Sequence, residues 1–190
     1  IEVAARSARK ETLDLIQEAL EHNGVEFMPG SGVRLKHPAI AVHEDRHATA
    51  CLLDDIYAHV QSAAEREVLV IGRDEALSVE TDGAALLSGH IERLTAAGVR
   101  ERILVCEGDT RFLNAAECYR WLPRRYFSRH APLYIDGDRI AVQIGSLRRR
   151  VIIIETRALA VHLRSLFELL WNEISTVPEE RGRVARLRTG

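Results

Sequence analysis

The stretch that decides the fold is Tyr134–Ile174, YIDGDRIAVQIGSLRRRVIIIETRALAVHLRSLFELLWNEI. Asp136-Gly137 is the two-residue turn favoured in β-hairpins, because both residues accept the positive φ that such a turn demands. It separates two strand candidates, Pro132–Ile135 and Arg139–Ile144. A third, Arg150–Ile154, is rich in β-branched residues and passes almost directly into a helix. Over about 156–173 that helix sets Leu159, Leu163, Leu166, Phe167 and Leu170 on one face, so it has a sheet to cover.

Upstream, the periodicity is different. VLVIG at 68–72 is short, apolar and stopped by glycine, which is the pattern of a strand buried on both faces. A helix over about 82–97 follows, with Leu86, Leu87, Ile91 and Leu94 on one side and Gly98 as its stop. Ile103–Cys106 repeats the strand signal, and strand, helix, strand in this order predicts a parallel pair joined by a right-handed crossover. Residues 112–121 are predicted to be helical up to Pro123. The expected fold is therefore α/β: a mixed, partly parallel sheet flanked by helices over 66–174.

Ahead of it, Leu52, Leu53, Ile56 and Val60 define an amphipathic helix over 48–63, a candidate for pairing with its twin in a homodimer. Residues 37–46, with Pro38 and HEDR, read as linker, so 37–65 is taken as a connecting segment. At the start, Thr12 caps a helix to about 23, and VEFM and VRLK flank Pro-Gly-Ser-Gly as a small hairpin. Residues 175–190 read as a disordered basic tail.

The 190 residues carry 46% hydrophobic and 28% charged side chains and a net charge of −2, an ordinary soluble composition whose mean charge argues neither for nor against nucleic acid. Cys51, Cys106 and Cys118 are odd in number and lie among apolar residues, as thiols of a reducing compartment do. The expectation is a cytoplasmic protein with no membrane segment and no signal peptide. Ile1 stands where a natural chain begins with Met, so residues upstream are expected.

Tyr134–Ile174 resembles the C-terminal domain of TrmB-type transcription regulators, a degenerate phospholipase-D-like half-domain. The shared features are Asp-Gly between two strands, a third strand running into a helix, and the Leu-Phe-Glu-Leu-Leu-Trp ending at 166–171. With 68–72 and 82–106 in the same order, the resemblance covers about 110 residues. Phospholipase-D enzymes use His-x-Lys-x4-Asp, in which His attacks phosphorus and Lys neutralises the phosphate oxygens. Here RHAPLYIDG puts His130 six residues before Asp136 instead of seven, with Pro132 where Lys would stand. The expectation is thus a chain that is not an enzyme and has no catalytic residue, with a phosphodiesterase or nuclease completed across a dimer, or a ligand-free interaction domain, as the alternatives.

Residues 1–36 resemble the tail of a lambda-repressor-like helix-turn-helix domain, with Ala8 where such sequences often have Pro. That resemblance implies a transcription regulator whose groove-reading residues lie upstream, which binds DNA, forms a homodimer and responds to a small-molecule effector. No cofactor is expected.

Two loops emerge from the carboxyl ends of the predicted parallel strands, where open α/β sheets bind ligands. Gly72, Arg73 and Asp74 lie in the first; Glu107, Asp109 and Thr110 lie in the second. Arg129 and His130 enter the following strand pair near the same edge. The plain alternative for Gly72, Asp109 and Thr110 is a turn or helix cap. His43, His47 and Cys51 have a four-residue spacing that suits a metal on one helix, but His43 falls in the linker, so no metal is assigned. Arg148, Arg149 and Arg150, and Arg181, Arg183, Arg186 and Arg188, are basic clusters that also suit a hairpin tip and a solubilising end.

Overall fold

A computed structural model of the chain describes residues 10, 12–17, 19–20, 25–28, 32–35, 39–61, 63, 66–145 and 149–178. The chain divides into two units, Ile1–Pro38 and Ala39–Gly190.

In the first unit, residues 12–17, 19 and 20 are helical. Strands β1 (Val25–Met28) and β2 (Gly32–Leu35) pair antiparallel, Val25 opposite Leu35 and Met28 opposite Gly32. This is the expected helix and hairpin.

The second unit is built on seven strands: β3 (Ala39–His43), β4 (Glu67–Ile71), β5 (Arg100–Cys106), β6 (Tyr119–Leu122), β7 (Leu133–Asp136), β8 (Arg139–Ile144) and β9 (Arg150–Glu155). Their order across the sheet is β3-β9-β8-β7-β4-β5-β6. β4, β5 and β6 are mutually parallel, and every other pairing is antiparallel. Among the described residues four helices serve this unit: α1 (Ala48–Val60), α2 (Glu75–Asp82), α3 (Ala84–Ala96) and α4 (Arg157–Leu169), the last running into a π-helical turn, Leu170–Ile174. The result is the mixed α/β sheet that the sequence predicts.

Strand alternation separates two cores. Val68, Val70, Ile103, Val105, Tyr119, Trp121, Val151 and Ile153 point to the side that α1 and α3 cover with Leu52, Ile56, Val60 and Leu94. Leu69, Leu104, Leu122, Ile135 and Ile140 point to the other, where α4 supplies Ala160 and Phe167 and the π turn supplies Trp171. An ionic cluster fixes α4 in place. Glu67 at the start of β4 accepts from Arg102 Nε at 3.0 Å and from Arg164 Nη1 at 3.3 Å, and Arg102 Nη1 reaches Glu168 Oε2 at 3.0 Å. Burial pushes the Glu67 carboxyl up, but the hydrogen bonds from Arg102 and Arg100 prevail and hold it below its usual range.

Three expectations need correction. The supposed linker at 37–46 contains β3, whose AIAVH pairs residue for residue with β9. Together with α1 it belongs to the sheet unit, which begins at Ala39 and not at residue 66. α1 spends its apolar face on the core, so that face is not available for a twin. Residues 112–121 form no α-helix: a 3-10 turn, Ala116–Cys118, leads into β6, where Tyr119 and Trp121 face one side and Leu122 the other. Parallel pairing with β5 overrides local propensity there. The helix expected over 82–97 is α3, and the further helix α2 precedes it across Gly83, which has φ 85°. Residues 175–178 are described, and Thr176 exchanges backbone hydrogen bonds with Trp121 at 2.8 and 3.0 Å; the tail arginines lie outside the described residues.

Phe167 is fully buried, stacked on Trp171 at 5.5 Å, with the Arg102 guanidinium 5.0 Å from its ring. Phe167→Ala should therefore cost about 3–5 kcal/mol, read as a lower urea midpoint with an unchanged slope. A loss below about 1 kcal/mol would show that α4 is not the principal cover of that face.

Candidate functional site: a polar cleft beside Gly72

Strand β4 ends at Ile71, opposite Leu133 of β7. The chain turns at Gly72, which has φ 83° and donates its N–H to the Leu104 carbonyl at 3.0 Å. A Cβ there would lie 2.6 Å from the Ser128 carbonyl oxygen, so only glycine lets the segment before β7 pass this close. That close approach brings Arg129 and His130 beside the first turn of α2. Asp74 caps α2, accepting from the Leu77 N–H at 3.0 Å, and its other oxygen lies 3.6 Å from Arg129 Nη1.

Between these groups lies a cleft with about 390 Å³ of empty volume, part of it continuous with solvent. Asp74, Ser78, Arg129 and His130 line one side, and Gln143, Gly145 and Arg149 the other, with Leu77 and Pro132 as apolar contacts. The far wall is held from behind. Gln143 Nε2 and Arg149 Nη1 both donate to Thr49 Oγ1 of α1, at 2.9 and 3.0 Å, and Arg149 also pairs with Asp82. Arg149 Nε is buried and has no hydrogen-bond partner among the described residues.

Of the residues singled out from sequence, Gly72, Asp74, Arg129 and His130 are brought together. Arg73 is turned inward: it is 2% exposed, with Nε 3.1 Å from Glu75 Oε2. Burial works against its charge, but Glu75 and Glu101 outweigh it and keep the guanidinium charged. Burial, with the Arg73 charge acting in the same direction, drives the His90 imidazole down to about 3, so His90 is neutral. Tyr119 donates to Glu75 at 2.7 Å and Asn114 to Glu101 at 2.9 Å, completing a buried network that sequence reading missed.

Glu107, Asp109 and Thr110 follow β5 and do not line the cleft. Asp109 accepts from the Arg111 N–H at 3.1 Å, and its carbonyl takes the Trp121 indole at 2.6 Å, which is the turn role. Gln143, Arg149 and Ser78 went unrecognised. For Gln143 a signal existed: a polar residue at an inward position of the apolar strand RIAVQI. His43 stands in β3 while His47 precedes α1, and no cluster of three or more ligating residues placed to hold a metal occurs among the described residues. Arg150 pairs with Glu44 at 2.6 Å, and Arg148 lies outside the described residues.

His130 and Asp136 do not meet, since they lie before and at the end of β7. Asp136 is 1% exposed, with His59 Nε2 and Arg139 Nε each 3.7 Å from Oδ1. Burial lifts its carboxyl to about 8, with the charge of Arg164 pulling the other way.

No protein-family model matches the chain, and no curated protein matches it. Similar structures are known. The chain resembles NucT from Helicobacter pylori at 8% identity and TM-score 0.50, over 74% of this chain and 99% of that one. It also resembles a phospholipase D family member, Nuc from Salmonella typhimurium, at 15% identity and TM-score 0.45, over 75% and 100%. TrmBL2, described as an archaeal chromatin protein with a novel mode of DNA binding, matches at 15% identity and TM-score 0.49. That match covers 92% of this chain, which spans 63% of TrmBL2.

The fold is phospholipase-D-like. At these identities the likeness concerns the fold alone, yet it overturns the expectation that the chain is not an enzyme. The likeness to NucT extends over 99% of that chain at TM-score 0.50, so the broken register at 130–136 is no ground for excluding catalysis.

The raised Asp136 carboxyl makes a linkage prediction. The folded state keeps this proton up to about pH 8, whereas the ordinary value is 3.8. Stability contributed by the protonated form is full below about pH 4 and falls as pH rises from about 4 to 8. Asp136→Asn should flatten that slope and raise the melting temperature at pH 8 more than at pH 4.5. Parallel profiles for parent and variant would mean that Asp136 is ionised throughout.

Proposed function

We propose that this chain is part of a cytoplasmic transcription regulator that contacts DNA, acts as a homodimer, and takes a small polar effector in the cleft beside Gly72. The regulator half of this reading is supported by the resemblance of Tyr134–Ile174 to TrmB-type effector domains and of residues 1–36 to a helix-turn-helix tail. The effector half is carried by one observation: opposed hydrogen-bonding groups converge on a single opening. The Asp74 carboxylate accepts and Arg129 donates at a cleft that Gln143 and Arg149 also line. A ligand with both donor and acceptor groups suits that lining, and pockets that orient small molecules use such a few placed polar groups on a partly apolar wall. Regulation then requires the effector to bind one arrangement of the dimer more tightly than another.

Thermal-shift screening of polar metabolites tests this. At about 100 times its dissociation constant a ligand stabilises the chain by roughly 2.7 kcal/mol. Asp74→Asn keeps the helix cap but removes the charge, and Arg129→Ala removes an exposed donor. Both should abolish the shift while leaving the unliganded melting temperature within about a degree. A shift that survives both variants places the effector elsewhere.

A second reading, phosphodiester hydrolysis at the same cleft, is favoured by His130, Arg129 and Arg149 lining one cleft. It calls for turnover of a generic phosphodiester such as bis(p-nitrophenyl) phosphate, lost by at least a hundredfold in His130→Ala, in line with the removal of an attacking group. Equal background rates for parent and variant would reject it.

A further inference from the structure

The two faces of the seven-stranded sheet are unequally covered. α1 and α3 share one face, whereas α4 alone crosses the other, lying over β8, β7 and β4. Six inter-strand steps of about 4.8 Å make the sheet roughly 29 Å wide, and a helix with its side chains is about 10–12 Å across. One helix therefore leaves a strip bare at β9 and β3. Apart from Arg150, which pairs with Glu44, the side chains of β9 and β3 on that strip are apolar. Ile40 and Val42 of β3 are 62% and 50% exposed, and they sit opposite Ile154 and Ile152 of β9. Ile144, on the same face of β8, is 44% exposed.

The strip ends at an open edge. β6, at the far side of the sheet, is closed by Thr176, but among the described residues no strand pairs with the outer side of β3. Exposed edges are ordinarily protected by lysine, proline, a bulge or an inward charge, because a bare row of N–H and C=O groups recruits another strand. Ala39–His43, AIAVH, has no lysine, no proline and no acidic residue, and its pairing with β9 is unbroken over five residues.

We infer that β3 is the surface through which two copies of this chain associate, pairing antiparallel about a two-fold axis at Ala41 and joining two seven-stranded sheets into one. The strand complements itself in that register. Ile40 meets Val42 of the partner subunit, Ala41 meets its own counterpart, and no like charges are opposed. Apolar cross-strand pairs of this kind add their contact to the edge hydrogen bonds. Glu44, just beyond the strand, already holds Arg150 at 2.6 Å and brings no free negative charge to the seam. This rests on the self-association in the proposed function, but not on an effector or on DNA.

Sedimentation velocity of the full chain from about 1 to 300 µM tests it, with Val42→Lys and Ala41→Cys as variants. The parent should sediment as a dimer, and Val42→Lys should raise the dimer dissociation constant at least tenfold without changing the circular dichroism spectrum. Residues paired across antiparallel strands have Cα atoms about 4.5–5.5 Å apart, within disulfide reach. Ala41→Cys should then form an interchain disulfide under mild oxidation, and Ile144→Cys, on the opposite face and off the axis, should not. A parent that stays monomeric throughout overturns both the surface and the homodimer. A dimer that is indifferent to Val42→Lys, or in which Ala41→Cys fails to cross-link, overturns this surface and leaves self-association standing.

Discussion

Strand β4 has a parallel neighbour on one side and an antiparallel one on the other, and most of the sheet unit follows from that. Its register with β5, Ile71 opposite Leu104, and with β7, Ile71 opposite Leu133, brings the end of one strand against the start of another. The chain must leave the sheet and enter it at the same place. Gly72 makes this possible, because no side chain fits under the Ser128 carbonyl. The cleft is the space that remains where α2 departs and the segment carrying Arg129 and His130 arrives.

The lower end of β4 is governed by charge. Glu67 accepts two arginines of the sheet and one of α4, so the helix that covers one face is fixed by ions as well as by Phe167 and Trp171. Isolated surface pairs contribute little, but this cluster is partly buried and shares its charges, and loss of any one member strands the others. At the upper end, Arg73 is almost wholly removed from water, and the cost of burying its charge is met by Glu75 and Glu101. The cleft thus has charged groups behind its wall as well as along it, and Thr49 ties Gln143 and Arg149 to α1.

How much was legible depended on whether a residue's role was local. The hairpin of β7 and β8 and the helix with Leu163 and Phe167 were readable because turn chemistry and periodicity act within a few residues, although the turn pair is Gly137-Asp138 and Asp136 is paired with Arg139 in the ladder. Asp74 and Gly72 were readable for the same reason. Arg73 was misplaced, since adjacent residues leaving a strand point opposite ways and only the packed core shows which way is inward. Residues 112–121 carry enough helix-forming side chains to suggest a helix, and β5 draws their end into the sheet. AIAVH reads as linker until β9, about 110 positions later, supplies its partner. Gln143 and Arg149 became cleft residues only when β8 and β9 were set beside α2.

By itself, the sequence determined the alternation of strands and helices, the hairpin that joins β7 and β8, the glycine stops and the amphipathic faces, all consequences of backbone sterics and of burying apolar side chains at period 2 or 3.6. Only the tertiary structure decided which strand became an edge, which arginine was buried and which polar side chains came to share a cleft. Those outcomes depend on distances between residues far apart in the chain, and hydrogen bonding and desolvation act through space without regard to sequence separation.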